Sequence, residues 1–257
     1  MQAGVRGVGD AGGKPPPGGA GRGRGGFSLR PGAGGLDGCA GPGHDADIMR
    51  ESSFRNPRPS PDDVIATYEA TAETYTRDRD KSLFERRWLD RALAYAPGRK
   101  VLDLGCGPGR PIAAYLRDRR CTVTGVDASP AMLTLFEAAL PGVATVEADM
   151  RGLDLGETFD LILGWNSLFH LAVDDQRAMF PVFARHAHER TVLMFTSGPD
   201  AGEATGRVAD QPIYHASLAP WEYRDLLSAN GFEELAFVPE DAECRGHSVW
   251  LARSVGW

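Results

Sequence analysis

Chemistry in this chain concentrates where an acid meets a run of glycines. Asp103 stands two positions before Gly105, and Gly107 and Gly109 follow within Lys100-Val101-Leu102-Asp103-Leu104-Gly105-Cys106-Gly107-Pro108-Gly109-Arg110. Glycines allow backbone to come close to a ligand. A carboxylate beside them repels a pyrophosphate but attracts the ammonium of an amino-acid-bearing nucleoside. A second acid, Asp127, lies 22 positions beyond Gly105 and is followed by Ala128. That is the register at which nucleoside-binding folds place a carboxylate able to accept from both ribose hydroxyls. Histidine is the side chain suited to proton transfer near neutral pH, and His170, His215 and His247 are the three to weigh. His170 and His215 are the leading candidates for a catalytic base, with a packing role open for each. His186 and His188 read as surface residues.

These residues need elements to hold them. Val101, Leu102 and Leu104 predict a short buried strand, and a helix follows from about Arg110 to Leu116. Strand, glycine turn and helix open a nucleotide-type βαβ unit. Cys121 to Val126 alternates as a second strand that ends at Asp127, and Ser129-Pro130 starts the next helix. Val143 to Ala148 is the third strand, followed by Asp149-Met150. The continuous apolar run of 159–164 predicts a fourth strand buried on both faces. It empties into the loop Trp165-Asn166-Ser167-Leu168-Phe169-His170-Leu171, after which Asp174-Asp175 are expected to cap a helix. A fifth strand spans Arg190 to Thr196, and Ser197 to Ser217 reads as a long polar loop serving or covering the site. Helix Pro220 to Ala229 and strands Phe232 to Val238 and Gly246 to Ala252 complete the pattern. Upstream, Ser60 caps a helix carrying Val64, Tyr68, Thr71 and Tyr75 on one face, and Phe84 to Tyr95 makes a second.

Val101 to Gly109 resembles motif I of the class I S-adenosylmethionine-dependent methyltransferases, hydrophobic-hydrophobic-Asp-hydrophobic-Gly-x-Gly-x-Gly, and the similarity runs from about residue 61 onward. The resemblance implies an α/β fold: a seven-stranded, mostly parallel sheet with helices on both faces and an antiparallel last strand. It implies S-adenosyl-L-methionine as cofactor and methyl transfer to a small-molecule acceptor. It assigns Asp103, Gly105, Gly107 and Gly109 to the cofactor's amino-acid end, and Asp149 with Met150 to its adenine. Trp165 and Asn166 then face its methionine end, and Tyr68, with Tyr75 beside it, belongs to lid helices that pack over the ligand. The paired acids of magnesium-dependent relatives are missing after strand four, so no metal is expected. So is the Asn/Asp-Pro-Pro-aromatic signature of nucleic-acid methylation, where Trp165-Asn166-Ser167-Leu168 stands instead. Two rivals stay open: an NAD(P)-dependent oxidoreductase on the same half-fold, and a non-catalytic S-adenosylmethionine-binding protein.

Composition sets the outer limits. Net charge is -7 over 257 residues, which argues against a general polyanion-binding surface and hence against nucleic acid as partner. No apolar run is long enough for a membrane span. Cys39, Cys106, Cys121 and Cys244 lack CxxC spacing and read as reduced thiols, which makes the cytoplasm the expected location. Cys106, inside the glycine turn, is expected to be inert. Residues 1–48 hold 17 of the 32 glycines and almost no large apolar side chain, too little to offset the entropy of ordering. The expected division is a disordered Gly/Pro-rich leader over 1–60 and one methyltransferase domain over 61–257, with lid helices at 61–98 and a Rossmann-like core at 99–257. Arg22-Gly23-Arg24-Gly25-Gly26 hints at an RNA-binding tail, and Met49 suggests a start site placed too far upstream.

Overall fold

A computed structural model describes residues 58–256. Residues 1–57 of the leader, with its Arg-Gly repeat and Met49, lie outside the described residues.

Seven strands form the main sheet: β1 (Lys100–Leu104), β2 (Thr122–Asp127), β3 (Ala144–Glu147), β4 (Phe159–Gly164), β5 (Ala187–Ser197), β8 (Phe232–Asp241) and β9 (His247–Ser254). Their order is β3-β2-β1-β4-β5-β9-β8. Strands β1 to β5 pair in parallel, and β9 runs antiparallel to both of its neighbours. The expected α/β architecture is therefore present, with a reversed strand inserted between β5 and β8.

The two-residue period of a strand sorts the core into two layers. Val101, Leu161, Leu163, Val192, Met194, Val249 and Leu251 face α2 (Arg86–Tyr95), α3 (Ile112–Asp118) and α4 (Pro130–Ala139). Leu102, Leu104, Ile162, Leu193, Phe195, Trp250 and Ala252 face α5 (Val173–Arg185) and α6 (Pro220–Ala229). Asp103 shares the parity of Val101, so β1 buries its carboxylate at the C-terminal end of the first layer, beside the glycine turn.

Three expectations need correcting. Ser197 to Ser217 is no loop: β6 (Gly202–Val208) and β7 (Gln211–Ser217) form an antiparallel hairpin, a second sheet. Its turn, Ala209-Asp210, takes positive φ at both residues, the geometry that a two-residue hairpin demands. Asp174 and Asp175 do not cap α5. Ala172 is its N-cap and the acids lie in the first turn, where they face the positive end of the helix dipole. His186 is not a surface residue: it is buried, with Nδ1 against the Val182 carbonyl and Nε2 accepting the Leu155 N–H.

At the other end, Ser60 caps as expected. Its side chain accepts from Asp62, Asp63 returns a bond to the Ser60 N–H, and the single 3-10 turn Pro61–Asp63 leads into α1 (Val64–Asp78). Val64 then packs with Val208, Ile213, Tyr214 and Ala216 in a small third cluster that joins α1 to the hairpin.

Candidate active site

The C-terminal ends of β1, β2 and β4 open into a cleft of about 1100 Å³ counted to its mouth, roofed by α1. Open parallel sheets bind ligands at this edge. Among the residues lining it are Tyr68, Asp103, Gly105, Gly107, Gly109, Asp127, Ala128, Asp149, Met150, Trp165, Asn166 and His170. The structure thus brings every cofactor residue expected from the sequence to one cavity.

The glycine turn is shaped by positive φ and close approach. Gly105 has φ 70°, and a Cβ there would lie 2.4 Å from the Cβ of Ser167. Gly109, at φ 74°, leaves room for Phe136, which would sit 2.6 Å from an added Cβ. The first glycine therefore clears the cleft, and the last lets α4 pack against the turn.

Asp103 lies at the base of this turn, 3% exposed, and no hydrogen bond to its carboxylate occurs among the described residues. Burial first, and then the nearby Asp127, push its pKa up to about 7, with the Arg79 guanidinium pulling the other way. Asp127 is better satisfied. Its Oδ2 accepts the Gly107 N–H at 2.8 Å and its Oδ1 accepts the Ser129 N–H at 3.0 Å, so it also holds the turn in place. Burial still raises its carboxyl, against the pull of those N–H groups. Cys106 is half-buried, and desolvation, with Asp103 and Asp127 behind it, pushes its thiol well above the ordinary cysteine pKa.

At the far end Asp149 is already engaged. Both its oxygens accept from the Arg151 guanidinium, at 2.6–3.1 Å, and Arg151 also reaches Asp175. Burial raises the Asp149 carboxyl, but its bonds to Arg151 more than offset this and hold it below the usual range. Met150, beside it, brings a methyl group against Gly105.

The two leading histidines part company. The Tyr68 hydroxyl lies 2.9 Å from His170 Nε2, and His170 Nδ1 lies 3.0 Å from the Tyr214 carbonyl. A carbonyl only accepts, so Nδ1 carries the proton and Nε2 accepts from Tyr68. Burial holds the His170 pKa down to about 4, and burial pushes the Tyr68 hydroxyl well up. His170 is thus a neutral tie between α1, the β4 loop and the hairpin, with both nitrogens spent.

His215, on β7, makes no hydrogen bond among the described residues and lines a second chamber adjoining the first. Its ring rests on Gly206 of β6, where an added Cβ would meet Cε1 at 2.3 Å. His247 lies apart from both, stacked on Trp165 at 5.5 Å with Nδ1 against the Cys244 carbonyl.

Sequence reasoning missed Arg79. Its guanidinium bonds the fully buried Glu85 at 2.8 Å, and the residue lines both chambers. It stands within the charge run Arg77-Asp78-Arg79-Asp80-Lys81, to which sequence reasoning gave no role. Two buried side-chain atoms lack any hydrogen-bond partner among the described residues, Glu85 Oε2 and Trp165 Nε1. Such groups call for a ligand or a water.

This donor set suits S-adenosylmethionine. Asp103 is an unspent buried acceptor for an ammonium, Asp127 keeps lone pairs for adjacent hydroxyls, and Trp165 belongs to the cleft wall with an unspent donor. Among the described residues no group of three or more His, Cys, Asp or Glu side chains is arranged to hold a metal ion, and no helix is long and apolar enough to cross a membrane.

Comparison with known proteins agrees with this geometry. Residues 101–189 match a family model described as a methyltransferase domain. Trans-aconitate 2-methyltransferases of Escherichia coli O139:H28 and Shigella flexneri serotype 5b are 42% identical over 82 residues. The match spans 32% of this chain and 32% of theirs, about a third of the length of these relatives. Among solved structures, the S-adenosylmethionine-bound amino pentose methyltransferase of Micromonospora echinaspora superposes with a TM-score of 0.56 at 24% identity, covering 73% of this chain and 96% of that one. A methyltransferase of Streptomyces caelestis gives 0.58 at 20% identity, over 72% and 96%. At such identities the likeness is one of fold. Motif, sheet order and matched segment agree: residues 101–189 match the methyltransferase-domain family, on the fold of the class I S-adenosylmethionine-dependent methyltransferases.

Proposed function

We propose that this protein moves a methyl group from S-adenosylmethionine to a small-molecule acceptor. The observation that carries the reading is Asp103: a buried carboxylate without a hydrogen bond, at the base of a glycine turn and next to a second acid. Two neighbouring acids with no cation bonded to either suit a cationic ligand and oppose a pyrophosphate. Asp103 would hold the ammonium of the amino-acid end, Asp127 the ribose hydroxyls, and Asp149 with Met150 the base. When bound, the cofactor supplies a methyl group on a positively charged sulfur, already primed to leave.

The protein's own task is then to orient, to exclude water and to move one proton. Helix α1 closes the roof. It is tied down by Tyr68 to His170 and by Glu69, whose carboxylate accepts from Ser129 Oγ and the Ala131 N–H. His170 positions; His215 is the base, because its nitrogens are unspent and its ring faces the adjoining chamber. Burial keeps His215 below the usual histidine pKa and therefore neutral at pH 7.

Calorimetric titration with S-adenosylhomocysteine and, separately, NADH tests the cofactor. The expected outcome is binding of the first alone; NADH binding alone would install the oxidoreductase rival. A metabolite extract incubated with labelled methyl donor tests the transfer. Cofactor binding without a labelled product in any extract would support the non-catalytic rival.

A further inference from the structure

The second chamber, about 790 Å³ to its mouth, lies between the end of α1 and the β6–β7 hairpin. Four charged side chains line it, and each is matched by an opposite charge. Asp78 pairs with Arg77, Asp80 with Arg245, Arg79 with Glu85, and Arg207 with Asp210. Among the described residues the lining charges thus balance, with no surplus of either sign. Its other walls are rings. Phe169 stands edge-on to His215 at 4.7 Å, His170 lies 4.8 Å from His215, and Tyr75 meets Tyr68 at 5.4 Å. Among the described residues, the polar groups left uncommitted are the His215 imidazole, the Tyr75 hydroxyl, the Asn166 amide nitrogen and the Arg79 guanidinium nitrogens other than the one bonded to Glu85.

We propose that this chamber takes an uncharged, ring-bearing acceptor with an acidic hydroxyl, that is, a small phenol, and that His215 receives the phenolic proton. The proposal rests on the methyl-transfer reading above and specifies its acceptor. In the step, the acceptor's O–H bond is replaced by an N–H bond on His215 and an O–CH₃ bond forms. The donor's S–C bond breaks with its electron pair left on sulfur. A sulfonium and a phenol become a thioether and an aryl methyl ether, and the imidazolium then loses its proton to water at the chamber mouth.

The strength of the base supports the same class. A half-buried imidazole with no acid beside it is a weak base. Phenols ionise near pKa ~10, whereas an aliphatic alcohol holds its proton about as tightly as water, near ~15.7. His215 can relieve the first of its proton during methylation far more readily than the second.

The test uses the full chain, labelled methyl donor and four single-ring probes: p-cresol, benzyl alcohol, benzylamine and phenylacetate. Label is expected on p-cresol in preference to the others. His215→Asn should lower turnover of p-cresol by about 10²-fold, with a smaller loss for the more acidic 4-nitrophenol, while S-adenosylhomocysteine affinity stays within about threefold. Gly206→Ala, which displaces the ring from its seat, should give the same ordering. Binding without donor offers an independent readout. 4-Nitrophenol seated beside a neutral imidazole in a chamber free of unpaired cations should keep the phenol absorption band at a pH where phenolate dominates in solution. Preferential binding of phenolate, an equal loss for both phenols in His215→Asn, or no preference for p-cresol overturns the proposal. If S-adenosylhomocysteine still binds in that event, the acceptor class falls alone; if it does not, the methyl-transfer reading falls as well.

Discussion

Asp103 carries a conflict between stability and binding. Its pKa in the folded protein, about 7, stands above its ordinary value of 3.8. Between those values the folded state binds more protons than the unfolded one, so stability without ligand falls as pH rises through about 4 to 7. Asp103→Asn removes the buried charge. It should raise the melting temperature of the ligand-free protein at pH 8 while weakening S-adenosylhomocysteine binding about tenfold or more, the loss of one charge-assisted bond. Because an ammonium pairs with the ionised carboxylate, wild-type affinity should rise between pH 6 and pH 8, with proton release seen as a buffer-dependent binding enthalpy. In the Asn variant that dependence should vanish; a persistent one would assign the proton to another group. His170 has the opposite sign. Its folded pKa, about 4, lies below the usual 6.5, so it detracts from stability as pH falls through that window. Tyr68→Phe leaves Nε2 buried without its donor and should cost about 1–3 kcal/mol, read as a lower midpoint in denaturant with unchanged slope.

At the scale of elements, α1 and the hairpin are both fastened beside the cleft. Glu69 ties α1 to the start of α4, and Tyr68 ties it through His170 to β7. Glu69→Ala should speed amide exchange across 64–78 and leave β1 and β4 as protected as before, measured by mass spectrometry. Equal acceleration in the sheet would mean that Glu69 supports the whole fold. The hairpin also shows where a sequence stops being readable. β1 and β4 were legible because buried parallel strands are short apolar runs bounded by glycine or acid, and β2 because its residues alternate up to an acid. β6 was not: Gly-Glu-Ala-Thr-Gly-Arg-Val has no apolar alternation, since it is an edge strand with little to bury. Its Ala-Asp turn also lacks the Asn-Gly signal that such geometry favours. Ala209-Asp210→Asn-Gly should therefore raise stability by roughly 0.5–1 kcal/mol. Arg79 and His186 escaped for a related reason. Burial of a polar residue depends on a distant partner, Glu85 or the Leu155 backbone, that no local pattern announces. Motif I and the ends of β2 and β3 were readable because a turn and its flanking acids sit in one short segment.

At the scale of the molecule, the cleft joins parts far apart in sequence: α1, the β1 turn, the end of β2, the β4 loop and, through His170, the hairpin. A ligand that bridges them stabilises the folded state against an unfolded chain that has no such site. At a free concentration a hundredfold above Kd, one site adds about 2.7 kcal/mol. For a domain of this size each kcal/mol shifts the melting temperature by about 2–4 °C. S-Adenosylhomocysteine at that excess should therefore raise Tm by roughly 5–10 °C. The pattern across variants is more telling than the size. His215→Asn should keep the full shift, because its ring lies in the adjoining chamber. Asp103→Asn should lose about half of the shift or more despite starting from a higher Tm, since the group that destabilises the empty protein is the one that recognises the ligand. Tyr68→Phe should start lower and keep a reduced shift, because ligand binding must then also close a looser roof. A shift of equal size in all three variants would mean that the ligand binds somewhere other than beneath α1.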